Sequence, residues 1–166
     1  NPDTMSTSYV HLKVKNKVGY IEFYNPPHNA LPASMLATLT ELIVTAAADT
    51  SIAVIVLKSG GDRTFCAGAS FDELMAISNP EQGTEFFKGF ANVINALRNC
   101  PKITVGHVQG KAVGGGVGLA AATDYCMATA HSDIKLSELS IGIGPFVIEP
   151  AVTRKIGLSA MSQLSL

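Results

Sequence analysis

An unbroken apolar run, Ala53-Val54-Ile55-Val56-Leu57, constrains this fold more than any other segment. It is of strand length, and continuous rather than alternating hydrophobicity is the pattern of a strand buried on both faces, as in a parallel sheet. Parallel neighbours need long crossovers, and the sequence supplies them. Met35, Leu36, Leu39, Leu42, Ile43 and Ala46 recur at helical spacing after Pro32, and a second long helix is predicted over Pro80–Asn99. Its apolar face, Phe86, Phe87, Phe90, Val93, Ile94 and Leu97, is expected to be core. Ile103–Val108 and Tyr125–Ala130 read as further strands, Asp72–Ile77 as a short helix, and Tyr9–Val14 with Val18–Phe23 as a hairpin broken at Asn16-Lys17. Alternating strands and helices predict an α/β fold with right-handed crossovers.

Composition excludes several classes. The 166 residues carry 12 Lys+Arg and 13 Asp+Glu, and the charged fraction is 15%, below the roughly 25% usual for soluble domains. With 47% hydrophobic residues, the chain is neither disordered nor low in complexity. No basic face marks a nucleic acid or membrane partner. The longest uncharged stretch, Phe23–Thr40, contains Pro26, Pro27 and Pro32 and is unsuited to spanning a bilayer. No basic-then-apolar leader is read at the N-terminus. Cys66, Cys100 and Cys126 lack short spacings, so free thiols and a cytoplasmic location are expected. His11, His28, His107 and His131 are scattered, and no metal site is expected. Asn1–Thr4, ahead of Met5, read as an extraneous remnant before one domain over residues 5–166. The final helical pattern, Ser159–Leu166, looks unfinished, so the chain is expected to be incomplete at its C-terminus.

Two segments share a design in which a strand leads through small residues into a helix: Cys66-Ala67-Gly68-Ala69-Ser70 and Gly114-Gly115-Gly116-Val117-Gly118. A helix N-terminus leaves N–H groups unpaired and partly positive. Two such amides converging on one oxygen would form an oxyanion hole; alternatively, the small residues serve close packing. Gly116–Ala121 also matches G-x-G-x-x-A, with Glu138 at a dinucleotide-like distance. Gln109–Val113, however, separate those glycines from their strand, against that reading. No G-x-S-x-G is present, and Cys66 reads as a small buried residue. Glu138, alone among apolar and small neighbours, is either an exposed or capping residue or a partly buried carboxylate suited to proton transfer.

Together, Phe65–Phe71, Gly110–Ala120, Asp124-Tyr125, Glu138 and Gly142, with Asn25-Pro26 and Asn29-Ala30-Leu31, resemble the crotonase (enoyl-CoA hydratase/isomerase) family over about Tyr9–Leu166. The resemblance implies a ββα spiral whose C-terminal helical part is missing here, acyl-CoA thioester substrates, and homotrimers or hexamers. No cofactor is implied beyond the coenzyme A of the substrate. The Ala69 and Gly115 amides would bind the thioester oxygen. Ala67, Gly68, Ser70 and Phe71 would lie along the coenzyme, Arg63 near its phosphates, and Gly114 and Phe146 along the substrate. Family hydratases usually have two glutamates, at the positions of Gly118 and Glu138; this chain keeps Glu138. Phe146-Val147-Ile148-Glu149 replaces a stretch usually rich in glycine. Glu149 is therefore either a second pocket acid or, the favoured alternative, a helix cap. Double-bond isomerisation by one glutamate is expected ahead of hydration, with a weakly catalytic acyl-CoA-binding protein as the rival of another class.

Overall fold

The Asn16-Lys17 break becomes a two-residue turn in which both residues take left-handed φ, 53° and 64°, the twist that lets a tight hairpin close. It joins β1 (Tyr9–Lys15) antiparallel to β2 (Val18–Tyr24). This computed structural model describes residues 7–166; the expected domain start at Met5 and the remnant Asn1–Thr4 lie outside the described residues. After α1 (Ala33–Ala48), the remaining main-sheet strands β3 (Val54–Ser59), β5 (Ile103–Val108) and β7 (Tyr125–Ala128) add in parallel, giving the order β1-β2-β3-β5-β7. Three short strands, β4 (Thr64–Cys66), β6 (Lys111–Val113) and β8 (Ile134–Lys135), form a second parallel sheet. The helices are completed by α2 (Phe71–Met75), α3 (Pro80–Arg98), α4 (Gly115–Ala122) and α5 (Glu149–Ser165), the last broken at Gly157.

One face of the large sheet meets the helices. Ile21, Phe23, Ile55 and Leu57 are fully buried there with Leu39 and Ile43 of α1 and Val93 of α3, in a cluster that also takes in Phe65 and Leu119. The other face is open. Tyr20, Val56, Val105 and Tyr125 stand side by side across four strands, with Tyr125 64% exposed. The apolar run around β3 is therefore buried on one face only, with Val54 and Val56 half-exposed on the other. The run of valines and isoleucines satisfies strand propensity as well as burial, and periodicity cannot separate the two causes.

Asn29 ties the loops above this sheet together. It is 3% exposed and holds φ 56°. Its Oδ1 accepts from the Asn25 N–H at 2.8 Å, and its Nδ2 donates to the Gly60 and Thr64 carbonyls at 2.9 and 2.8 Å. One side chain thus joins the loop after β2 to both ends of the β3–β4 connection. Asn29→Ala removes these bonds and leaves an alanine at left-handed φ. It should lower unfolding stability by roughly 2–4 kcal/mol, since each buried group left unpaired costs about 1–3 kcal/mol. An unchanged urea midpoint would show that the loops hold without this hub.

Candidate active site

The first amide is positioned by a one-residue parallel bridge. The Leu31 N–H donates to the Gly68 carbonyl at 2.8 Å, and the Ser70 N–H to the Leu31 carbonyl at 3.3 Å. That pattern uses the Gly68 carbonyl and the Ser70 N–H and leaves the Ala69 N–H facing away from Leu31. The second amide, Gly115, opens α4 directly after β6, with Gly114 (φ 53°, ψ −118°) as the single turning residue. The Gly114 N–H is anchored to the Lys135 carbonyl at 2.9 Å. Neither the Ala69 nor the Gly115 N–H donates to a loop or turn carbonyl among the described residues, and Gly115, as the first helical residue, has no acceptor within its own helix.

The two segments touch. A Cβ on Gly68, itself at φ 92°, would sit 3.6 Å from the Gly115 nitrogen and 3.2 Å from the Val113 carbonyl oxygen. Any side chain here would be strained by the backbone and would crowd the second amide. Deeper in, Gly116 lies against the Cys66 carbonyl and Cβ. Small residues thus permit close packing, and the packing brings the Gly68–Ala69 and Gly114–Gly115 segments against each other.

Both segments line one cavity of about 250 Å³. Ala67, Gly68, Ala69, Ser70 and Phe71 form one side, Gly114, Gly115, Ser137 and Glu138 the floor, and Phe86, Phe87 and Phe90 of α3 with Ile141, Ile143 and Ile148 the apolar remainder. Glu138 is its one ionisable lining residue among those described. The carboxylate lies over Gly114, with Oε1 3.1 Å from where a Cβ would project. Oε2 is buried and has no hydrogen-bond partner among the described residues. The Glu138 carbonyl accepts from Ile141 and Ile143 at 3.1 and 3.0 Å, so a short 3₁₀ turn at Leu139–Ile141 fixes its backbone. An orphaned carboxylate oxygen in an apolar cavity is costly unless something that enters the cavity meets it.

Several sequence expectations change. Ala69 is not a helix N-terminal amide: α2 begins at Phe71 with Ser70 as its cap, the hydroxyl accepting from the Glu73 N–H at 3.3 Å. Phe86 and Phe87 line the cavity rather than the core, because the residues they share it with, Ile141, Ile143 and Val147 among them, leave their rings half-exposed. Two expectations are not altered: Arg63 is exposed, outside the cavity lining, and Phe146, 83% exposed, lines a neighbouring groove. Glu149 neither lines the cavity nor caps a helix with its side chain. It is the first residue of α5, and its carboxylate accepts from the Thr153 hydroxyl at 2.5 Å. The second sheet, which delivers both amide segments, was not visible in the sequence, since two- and three-residue strands carry no periodicity.

A family model described as enoyl-CoA hydratase/isomerase matches residues 13–166. An enoyl-CoA hydratase of Alternaria alternata is 35% identical over 131 residues, covering 79% of this chain and 42% of the relative. An ethylmalonyl-CoA decarboxylase of Xenopus tropicalis is 31% identical over 134 residues, covering 80% of this chain and 44% of the relative. The chain thus spans less than half the length of these curated relatives. A crystal structure from the enoyl-CoA hydratase/isomerase (crotonase) group of Legionella pneumophila superposes with a TM-score of 0.89 at 35% identity, over 96% of this chain and 62% of that one. Among the described residues, no helix is long and apolar enough to cross a membrane.

Burial pushes the Cys66 thiol up to about 12, partly opposed by the Gly68 N–H that donates to its sulfur. A raised value keeps the thiol protonated, and thus unreactive, through neutral and mildly alkaline pH. Desolvation raises the Cys126 thiol as well, but its side chain is exposed whereas Cys66 is buried, so iodoacetamide at pH 8 should modify Cys126 first and spare Cys66 until the protein is unfolded, as read by peptide mass mapping. Alkylation of Cys66 in the native protein would show that the contact between β4 and α4 opens.

Proposed function

The chain belongs to the enoyl-CoA hydratase/isomerase family and has the crotonase fold, and from that premise we propose that its cavity takes an acyl-CoA thioester on which Glu138 moves a double bond. The thioester oxygen lies between the Ala69 and Gly115 amides. With a 3-enoyl thioester, Glu138 takes a proton from the carbon next to the carbonyl, and the electron pair left behind spreads onto the thioester oxygen. The two amides stabilise the charge that develops there; each such donor contributes about 3 kcal/mol to the transition state. The protonated Glu138 then returns the same proton to the far carbon of the former double bond, giving the 2-enoyl product. Coenzyme A enters as part of the substrate, and the scheme asks for no other cofactor.

The observation that carries this reading is the solitary, partly orphaned carboxylate in an apolar cavity. Hydration needs a water both held and activated, which the family resemblance associates with a second glutamate at the position of Gly118. A Cβ on Gly118 would lie 2.5 Å from Ile148 Cγ2 and 3.2 Å from Ile94 Cδ1, so no side chain fits there. Glu149, the other candidate acid, is engaged by Thr153. Hydration with a non-standard second acid is thus the runner-up. The resemblance to an ethylmalonyl-CoA decarboxylase favours one further reading, in which loss of carbon dioxide generates the same enolate and the amides play the same part.

The test is an assay with 3-enoyl-, 2-enoyl- and alkylmalonyl-CoA panels. Isomerisation of 3-enoyl-CoA should dominate. Glu138→Gln should lower kcat/KM by about 10²–10⁴, the range for a lost general acid–base, while Glu149→Gln should stay within about twofold of the parent, as for a substitution remote from the chemistry. Dominant hydration lost in both variants would move the second acid to Glu149. Thioester binding without turnover would leave a binding protein.

A further inference from the structure

Ser70-Phe71-Asp72-Glu73 has the pattern of a capping box, in which the first residue's hydroxyl takes the fourth residue's N–H and the fourth residue's carboxylate takes the first residue's N–H. Only the first half forms. The Ser70 hydroxyl accepts from the Glu73 N–H at 3.3 Å, but the Ser70 N–H is already given to the Leu31 carbonyl, also at 3.3 Å. The Glu73 carboxylate turns away from its own helix instead. Its two oxygens both accept from the Ala33 N–H, at 3.3 and 3.0 Å, across 40 residues of chain.

Ala33 is the first residue of α1, and α1 has no cap of its own. Pro32 stands at the cap position with no side-chain hydrogen bond to offer, and the first turn holds no acid. A carboxylate brought to this end satisfies an N–H that the helix leaves unpaired and meets its positive pole. Among the described residues, Lys88 is the one cation lining the groove between α1 and α3 that Glu73 faces, and it is paired to Glu85 at 2.6 Å. The contact matters as much to α2. None of its five residues is buried, with Phe71 59% and Met75 69% exposed, so little apolar packing holds this helix in place.

We infer that Glu73 is a positioning residue, which by clamping α2 to the start of α1 holds the Ala69 amide in place for the reaction proposed above. The inference rests on that reading for its chemistry. Ala69 sits between two bonds to Leu31, one through the Gly68 carbonyl at 2.8 Å and one through the Ser70 N–H at 3.3 Å. The second is longer than the roughly 2.7–3.2 Å usual for such bonds, and it is the one next to α2. The Ala33–Glu73 contact lies just beyond it and adds a third attachment between the same two segments. With it, α2 is fixed and the Ser70 bond is protected. Without it, α2 swings on that bond and carries Ala69 along. Glu73 lines the groove and not the cavity, so it acts without touching the substrate.

The experiment compares the parent chain, Glu73→Ala and Glu73→Gln by amide hydrogen exchange, urea unfolding and kinetics on 3-enoyl-CoA. Glu73→Ala should speed exchange over residues 67–77 by at least about tenfold while the urea midpoint stays near the parent's, the mark of local rather than global opening. It should lower kcat by about 10- to 100-fold, the cost of a small displacement of a catalytic group. KM should change by less than about threefold, since an amide donor counts for more in the transition state than in the bound substrate. Glu73→Gln keeps an oxygen for the Ala33 N–H and should return kcat to within about fivefold of the parent, a neutral acceptor being weaker than a carboxylate. Unchanged exchange in Glu73→Ala overturns the inference. So does a lower urea midpoint with kcat intact, which would make Glu73 a cap for α1 alone, and so does equal loss of kcat in both variants, which would trace the effect to the charge rather than to the bond. A parent that turns over no thioester overturns the proposed reaction; the clamp is then decided by exchange alone, faster exchange in Glu73→Ala upholding it and equal exchange overturning it.

Discussion

The cavity depends on a contact between backbones. Gly116 at the start of α4 rests on the carbonyl and Cβ of Cys66, and Gly68 comes within reach of the Gly115 nitrogen. Close approach of main chain to main chain sets the Ala67–Ser70 and Gly114–Gly116 segments against each other without any polar side chain being buried for the purpose. It also explains why so many small residues cluster in Ala67–Ala69 and Gly114–Gly118. A single methyl group at Gly116 would push β4 off α4, since it would meet the Cys66 carbonyl oxygen at 2.4 Å. The Leu31–Ala69 bridge and the Gly114–Lys135 bond then orient what the packing has brought together.

Around that contact the molecule divides its chemistry cleanly. Charge is kept to the rims: Lys102 holds the carbonyls of Ala46 and Asp49 at the end of α1, and Glu22 pairs with Lys58 on the open side of the sheet. Inside the cavity one carboxylate stands among phenyl rings and aliphatic side chains. A lone carboxyl group in such apolar surroundings interacts strongly with any dipole brought near it, because the local dielectric is low.

Much of this was legible in the sequence. The hairpin, the α1 and α3 helices and the central strands followed from turn chemistry and hydrophobic period, and Ala69, Gly115 and Glu138 were singled out and are brought to one cavity. What was not legible has physical causes. Strands as short as Ile134–Lys135 have no periodic signal. The valines of β3 look the same whether a second layer covers them or not. Phe86 and Phe87 share a helix face with true core residues and differ only in what lies opposite, which is decided by the Ile141–Ile148 loop far along the chain. Ser70, which lines the cavity, and Glu149 also make local hydrogen bonds, and bonds of this kind depend on side-chain torsions that spacing does not encode.

Apart from the hairpin, every strand pairing in the two sheets is parallel and joins segments distant in sequence. Bringing such segments together costs closure entropy before any contact compensates for it, which makes these topologies slow to fold. The cavity draws its parts from Ala67–Phe71, Phe86–Phe90, Gly114–Gly115 and Glu138–Ile148. During synthesis, β1 and β2 can meet early, but the carboxylate leaves the ribosome well after the first amide and has nowhere to dock until β8 has joined β6. Competence is therefore all or nothing in time: a nascent or half-folded chain holds fragments of the site, and only the assembled one holds a cavity.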